Sequence, residues 1–247
     1  NMKFNAVGGG EYETSHSLVD GGHYTFIDNC IVSQSGSRGR GLKGVINNCY
    51  FYNDAPTTYN NNSYAIVDVS YGHTISNNVI ENWHGPGMHL NQMSNAVDNL
   101  IISTRERSPL SAIYIASNST TYGQSVSNNT IYNFATGIYM AGNQTKHIKG
   151  NLISSCASGI RFINNYSTKD RYNGFHNCDL THANGASGVT DLYATSDPFL
   201  NSGTLDFTLN NDEAGGSVFR GAQQESTAGW GKTKSYKDLG AIQSYGK

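Results

Sequence analysis

Charge, proline and long apolar runs are all scarce in this sequence, and each shortage removes a class of protein. Only 14% of residues are charged and the net charge is −2, so no basic field exists to hold a nucleic acid and no cationic patch to hold a membrane surface. Low charge also argues against intrinsic disorder, which needs high net charge to keep a chain unfolded. No stretch approaches the ~18 consecutive apolar residues of a membrane-spanning helix. Apolar residues seldom recur at i, i+3, i+4, i+7, whereas short runs of period-two alternation are everywhere; the chain reads as all-β. Without a strand–loop–helix context, no glycine-rich stretch qualifies as a phosphate cradle. The sequence opens NMKFNAV, with no signal peptide, so a preceding segment is expected to have been cleaved or to lie outside it.

What is abundant is glycine (28), tyrosine (16) and asparagine, and the asparagines recur. An Asn-x-apolar step stands at Asn5, Asn29, Asn48, Asn78, Asn99, Asn129 and Asn151, with a degenerate copy at Asn177. These positions average about 25 residues apart, within the range of solenoid repeats. A small-then-apolar step follows each, as in Gly87-Met88, Ala112-Ile113, Gly137-Ile138 and Gly159-Ile160. Sandwich strands would instead be joined by Asn-Gly or Asp-Gly hairpin turns. Parallel stacking of the repeats places Asn on Asn, where amides bond along a column. It also places Ile31, Ile80, Ile101, Ile131 and Ile153 in one apolar column. Cys30 and Cys49 fall at one repeat position, within disulfide reach. Flat in-register strands rarely supply the required dihedral, so free neighbouring thiols are expected and cysteine does not decide the compartment.

The units NNTIYNFATGIYM (128–140) and GNLISSCASGIRF (150–162) resemble the right-handed parallel β-helix repeat of the pectate-lyase-like superfamily. The resemblance covers roughly residues 1–195. It implies a single-stranded right-handed parallel β-helix (a solenoid) of about eight rungs over 1–195, with an irregular C-terminal cap over 196–247 packing on the last rungs. Such a cap is needed because a last rung leaves strand groups unpaired.

If Leu42, Met88, Ile113, Ile138 and Ile160 face inward, the next residue in each strand faces out. One rung is ambiguous. Facing Ile66 inward would bury Asp68, which is costly without a partner; facing Val67 and Val69 inward turns Asp68 out and makes the spacing to Asn78 match other rungs. On that register the outward column is Val19, Lys43, Asp68, His89, Tyr114, Tyr139, Arg161 and Thr190, with neighbours about 4.8 Å apart. Connections at 34–40, 53–63, 83–84 and 105–108 leave its upstream edge and are expected to wall it.

The family binds polysaccharide on this sheet, so the resemblance makes the column the candidate site. Tyrosine faces suit sugar rings, while Arg161, Lys43 and Arg40 suit uronate carboxylates through charge-assisted bonds. The plainer reading is a solvated sheet face. A glycoside hydrolase needs two carboxyl groups at a set separation, and only Asp68 sits in the column. A β-eliminating lyase needs a base, a charge neutraliser and a proton donor: Lys43 or His89, Arg161 or Arg40, and Tyr114, with His89 beside Asp68 the tighter pair. Substrate contacts are expected from Arg40, Trp83, His84, Arg105, Arg107 and Tyr139. No acidic cluster like the calcium site of pectate lyases and no Asp-Asp pair like that of polygalacturonases is evident, so no cofactor is expected, with calcium the one metal the resemblance leaves open. His84 and His89 lack a third ligand. The leading expectation is recognition of an acidic polysaccharide outside the cell or on a virion surface, with catalysis left open: lyase cleavage ahead of glycoside hydrolysis if the chain is an enzyme. The competing one is a non-catalytic spike or adhesin. The chain is expected to be a monomer or, by resemblance to tail-spike relatives, a homotrimer.

Overall fold

The computed structural model describes residues 2–6, 17–20, 26–34, 40–53, 64–68, 74–83, 85–90, 94–116, 125–141, 147–163, 169–184, 190–204 and 206–219. Short strands and left-handed turns generate the winding. Asn29, Asn48, Asn77, Asp98, Asn128 and Tyr172 all adopt positive φ, between 54° and 57°, a region open mainly to Gly, Asn and Asp. Each bends the chain just after a three-residue strand and hands it round the corner to the next. The chain therefore passes from one sheet to a second, to a third, and back to the first a turn higher.

The first sheet holds nine strands, from Met2–Ala6 to Leu192–Ala194; the second holds eight, from Ser17–Asp20 to Leu180–Ala183; the third holds seven, from Phe26–Asp28 to Lys169–Arg171. All pairings within these sheets are parallel, so the described chain is an all-β parallel solenoid. The expectation that equivalent side chains stack from turn to turn holds.

The corner between the third and first sheets carries the asparagine ladder. Asn78, Asn99, Asn129, Asn151 and Asn173 are fully buried. The Asn99 backbone N–H and its Nδ2 both donate to Asn129 Oδ1 at 3.0 Å, and Nδ2 also donates to the Ile75 carbonyl at 3.0 Å. The same pattern links Asn78 to Asn99 and Asn129 to Asn151. Each amide thus has both donors and its oxygen engaged, which is what a buried polar column requires.

The ladder is offset from the one read in the sequence. Asn29 and Asn48 are turn residues, and Cys30 and Cys49 occupy the ladder positions: the Cys49 N–H donates to Asn78 Oδ1 at 3.0 Å, and the Cys30 N–H to Cys49 Sγ at 3.3 Å. Asn177 is also a turn residue at positive φ. The true last amide is Asn173, whose N–H donates to Asp191 Oδ1 at 2.9 Å. The apolar column shifts accordingly: Val32, not Ile31, aligns with Phe51 and Ile80, and Ile31 is 38% exposed. All four cysteines are free thiols.

On the second-sheet rungs at Gly87, Gly137 and Gly159 a side chain does not fit without a shift of its neighbours. A Cβ on Gly137 would lie 2.6 Å from the Gly159 carbonyl oxygen and 2.8 Å from Ile153 Cγ2. The described part of the C-terminal segment contains an antiparallel hairpin, Phe199–Asn201 with Asp206–Leu209. It reaches beyond the last rungs, lying along the outer face of the first sheet: Phe199, Phe207, Leu209 and Phe219 form one cluster with Leu100, Ile102 and Leu152. Tyr132 meets Phe207 edge-on at 5.2 Å.

Candidate functional site

On the outer face of the second sheet, parallel pairing brings one residue per turn into a file. Lys43 pairs with Val67, Val67 with His89, His89 with Tyr114, Tyr114 with Tyr139, and Tyr139 with Arg161. Met88, Ile113, Ile138 and Ile160, the residues just before, are fully buried, which fixes the file outward by strand alternation. His89, Tyr114 and Tyr139 are half-buried and Arg161 is exposed.

The expected register fails at one rung and at both ends. Ile66 is fully buried and pairs with Met88, so Val67 takes the file position and Asp68 pairs with Leu90, one row over. Spacing to the ladder misled the assignment because the connection between second and third sheets varies: Met88 stands 11 residues before Asn99, and Ile113 stands 16 before Asn129. Asp20, rather than Val19, aligns with Lys43, and Ala183, rather than Thr190, aligns with Arg161. The proposed His89–Asp68 pair is therefore not a same-row neighbour pair.

What the file does bring together is aromatic. His89 and Tyr114 have ring centroids 5.1 Å apart, and Tyr114 and Tyr139 lie 5.4 Å apart. Arg161 Cζ sits 5.5 Å from the Tyr139 centroid, a cation–π contact. A fourth ring, Tyr64, stacks 4.5 Å from His89 and 6.4 Å from Tyr114. The sequence reading missed it by ending the preceding connection at Ser63; its place two residues before the buried Ile66 was the available signal. Burial, and then the neighbouring Tyr139, push the Tyr114 phenol above its ordinary value. It stays protonated at neutral pH and is a donor, not a base.

The remaining candidates scatter. Trp83 is only 3% exposed and meets Phe51 edge-on at 6.0 Å in the core, so the apolar packing that holds it also withdraws it from any ligand. Arg107 is tied to Asp179 at 2.8 Å, and Arg105 donates to the Asn53 carbonyl at 3.0 Å; both lie on the connection between the first and second sheets. Arg40 and Lys43 are placed by backbone register at the N-terminal end of the second sheet. His84 and the connections at 35–39 and 54–63 lie outside the described residues. Glu81 accepts the Tyr50 hydroxyl on the first sheet. Among the described residues, no three His, Cys, Asp or Glu side chains converge to hold a metal ion, and no helix is long and apolar enough to cross a membrane.

Comparison with known proteins gives one match. A family model described as right handed beta helix region matches residues 65–197, a little over half of the chain. Neither the curated proteins nor the solved structures yield a match.

Proposed function

The chain belongs to the right-handed beta helix family, and from that footing we propose that it recognises an acidic polysaccharide on the outer face of its second sheet. The observation that carries the reading is the continuous run of rings His89, Tyr114 and Tyr139, with Tyr64 against His89 at one end and the Arg161 guanidinium over Tyr139 at the other. Ring faces bury the apolar faces of sugars at little entropic cost. A guanidinium at the end of the file takes a carboxylate by two parallel charge-assisted bonds. Exposed glycans belong outside the cell or on a virion surface, and we assign the protein there on the same grounds.

Cleavage of that glycan by β-elimination is the finer part of the proposal. His89 Nδ1 would take the proton beside the uronate carboxylate, since Nε2 is buried. The electron pair left behind forms the ring double bond as the glycosidic C–O bond breaks. The protonated Tyr114 phenol, in the next rung, gives its proton to the departing oxygen. Arg161 stands three rungs from His89, about 14 Å at strand spacing, so it holds a neighbouring unit rather than neutralising the reacting one. The geometry therefore favours binding over chemistry.

The test is a panel of acidic and neutral oligosaccharides, scored for binding by calorimetry and for cleavage by the ultraviolet absorbance of unsaturated ends. Tyr114→Ala with Tyr139→Ala should lower affinity about tenfold, at roughly 0.5–1.5 kcal/mol per ring. Unchanged affinity in that variant ends the binding reading. Undiminished cleavage by His89→Ala ends the assignment of His89 as base.

A further inference from the structure

The third sheet carries a second charged feature, on a different side of the solenoid from the aromatic file. Its last two described strands are His147–Lys149 and Lys169–Arg171. They pair in register, His147 with Lys169 and Lys149 with Arg171. His147 and Lys149 are exposed on either side of the fully buried Ile148. Strand geometry sets the rungs about 4.8 Å apart and same-face residues about 6.6 Å apart, so four basic positions mark a compact rectangle. Two three-residue strands thus hold three of the chain's 16 Lys and Arg residues. The one carboxylate in these strands, Asp170, pairs with Ile148 on the intervening row.

The neighbouring rungs say what sort of anion suits the patch. The His147 row continues through Ser125 to Asn95 and Thr74, hydroxyls and amides that pair with sugar hydroxyls. From Thr74 to Lys169 the His147 imidazole is the one aromatic ring of that row, so it offers no run of rings on which successive nucleobases would stack. We propose that His147, Lys149, Lys169 and Arg171 form a second glycan site on the third sheet, one that engages sulfate or carboxylate groups of an anionic polysaccharide independently of the aromatic file. A chain long enough to reach both faces would then be held at two points, and the linked contacts raise avidity above either alone.

The intact protein would be passed over immobilised dextran sulfate and polygalacturonate, with uncharged dextran as control, across a salt series. Retention on the anionic matrices, absent on dextran and falling with salt, is expected. Lys149→Glu with Arg171→Glu should weaken it about tenfold, and Lys149→Gln with Arg171→Gln should weaken it less. Circular dichroism melts matching the parent would show that both variants fold. Tyr114→Ala with Tyr139→Ala should remain bound to dextran sulfate. The proposal is overturned if no anionic matrix retains the parent, if charge reversal leaves retention intact, or if duplex DNA at equal charge competes as well as the glycans. If the patch variants lose binding while the ring variants lose none on any glycan, the aromatic-file reading fails alone. The opposite pattern sinks only the patch.

Discussion

At the residue scale, the buried ladder is where a single atom matters most. Replacing Asn129 by alanine strands the Asn99 N–H and the Ala96 carbonyl and removes one acceptor of the Asn99 amide, which keeps the Ile75 carbonyl. Each buried group left unpaired costs about 1–3 kcal/mol, so Asn129→Ala should lower stability by roughly 3 kcal/mol or more in urea unfolding. Gly137→Val is expected to be worse, because the intruding atoms meet the Gly159 carbonyl of the next turn as well as the buried Ile153 side chain. Thiol chemistry sorts the cysteines. Burial pushes Cys49 up to about 12 and raises Cys156 as well, whereas a hydrogen bond from Cys156 lowers Cys178. Iodoacetamide at neutral pH should label Cys178 first. His176, whose Nδ1 lies 2.9 Å from Ser154 Oγ, is held below its ordinary 6.5 chiefly by burial, with Asp197 opposing. Because the unfolded chain then binds the proton more readily, this contribution is complete above 6.5 and is lost as pH falls below it. Melting temperature should fall less between pH 7 and pH 5 in His176→Gln than in the parent.

At the element scale, the winding was legible and its phase was not. Period-two runs and recurring asparagines led to a parallel coil because nothing else stacks like on like. The phase slipped at the N-terminal end for a chemical reason: Asn suits both the left-handed turn position and the ladder position beside it. Where both are Asn, as in Asn77-Asn78 and Asn128-Asn129, either reading aligns. At Asn29-Cys30 and Asn48-Cys49 only the turn residue is Asn, and counting asparagines shifts the frame by one. The aromatic file emerged mostly correct, since His89, Tyr114, Tyr139 and Arg161 each follow a small-then-apolar step. Asp68 was misplaced by an argument that weighed a buried carboxylate above the packing of Ile66. Three corners of the coil differ in tolerance. Among the described residues the connection from the third sheet to the first is one or two residues, Asn29 or pairs such as 77–78, 98–99, 128–129 and 150–151, while that from second to third sheet ranges from Gly44 alone to residues 116–124. One alanine inserted between Asn128 and Asn129 should abolish cooperative folding, and the same insertion within 117–124 should leave the melt within about 1 kcal/mol of the parent.

At the scale of the whole molecule, each coil touches its neighbours and little else, apart from the hairpin, which straps several coils at once. The phenylalanines of that hairpin bury outward-facing Leu100, Ile102 and Leu152, which explains why these strands read as unbroken apolar runs rather than alternating ones. Phe207→Ala should cost about 3 kcal/mol and expose the first sheet to a hydrophobic dye. Repeat architectures gain stability from nearest-neighbour contacts and can open in sections. The ladder is not uniform along its length: amides run from Asn78 to Asn173, and sulfur takes over at Cys49 and Cys30. A thiol is a poor acceptor beside an amide oxygen, so the coils at that end are clasped more weakly than those around Asn129. Hydrogen exchange should therefore reach the Cys30 amide well before that of Asn99. A pulling force or rising heat would peel the protein from its first coils inward, leaving the tyrosine face intact until late.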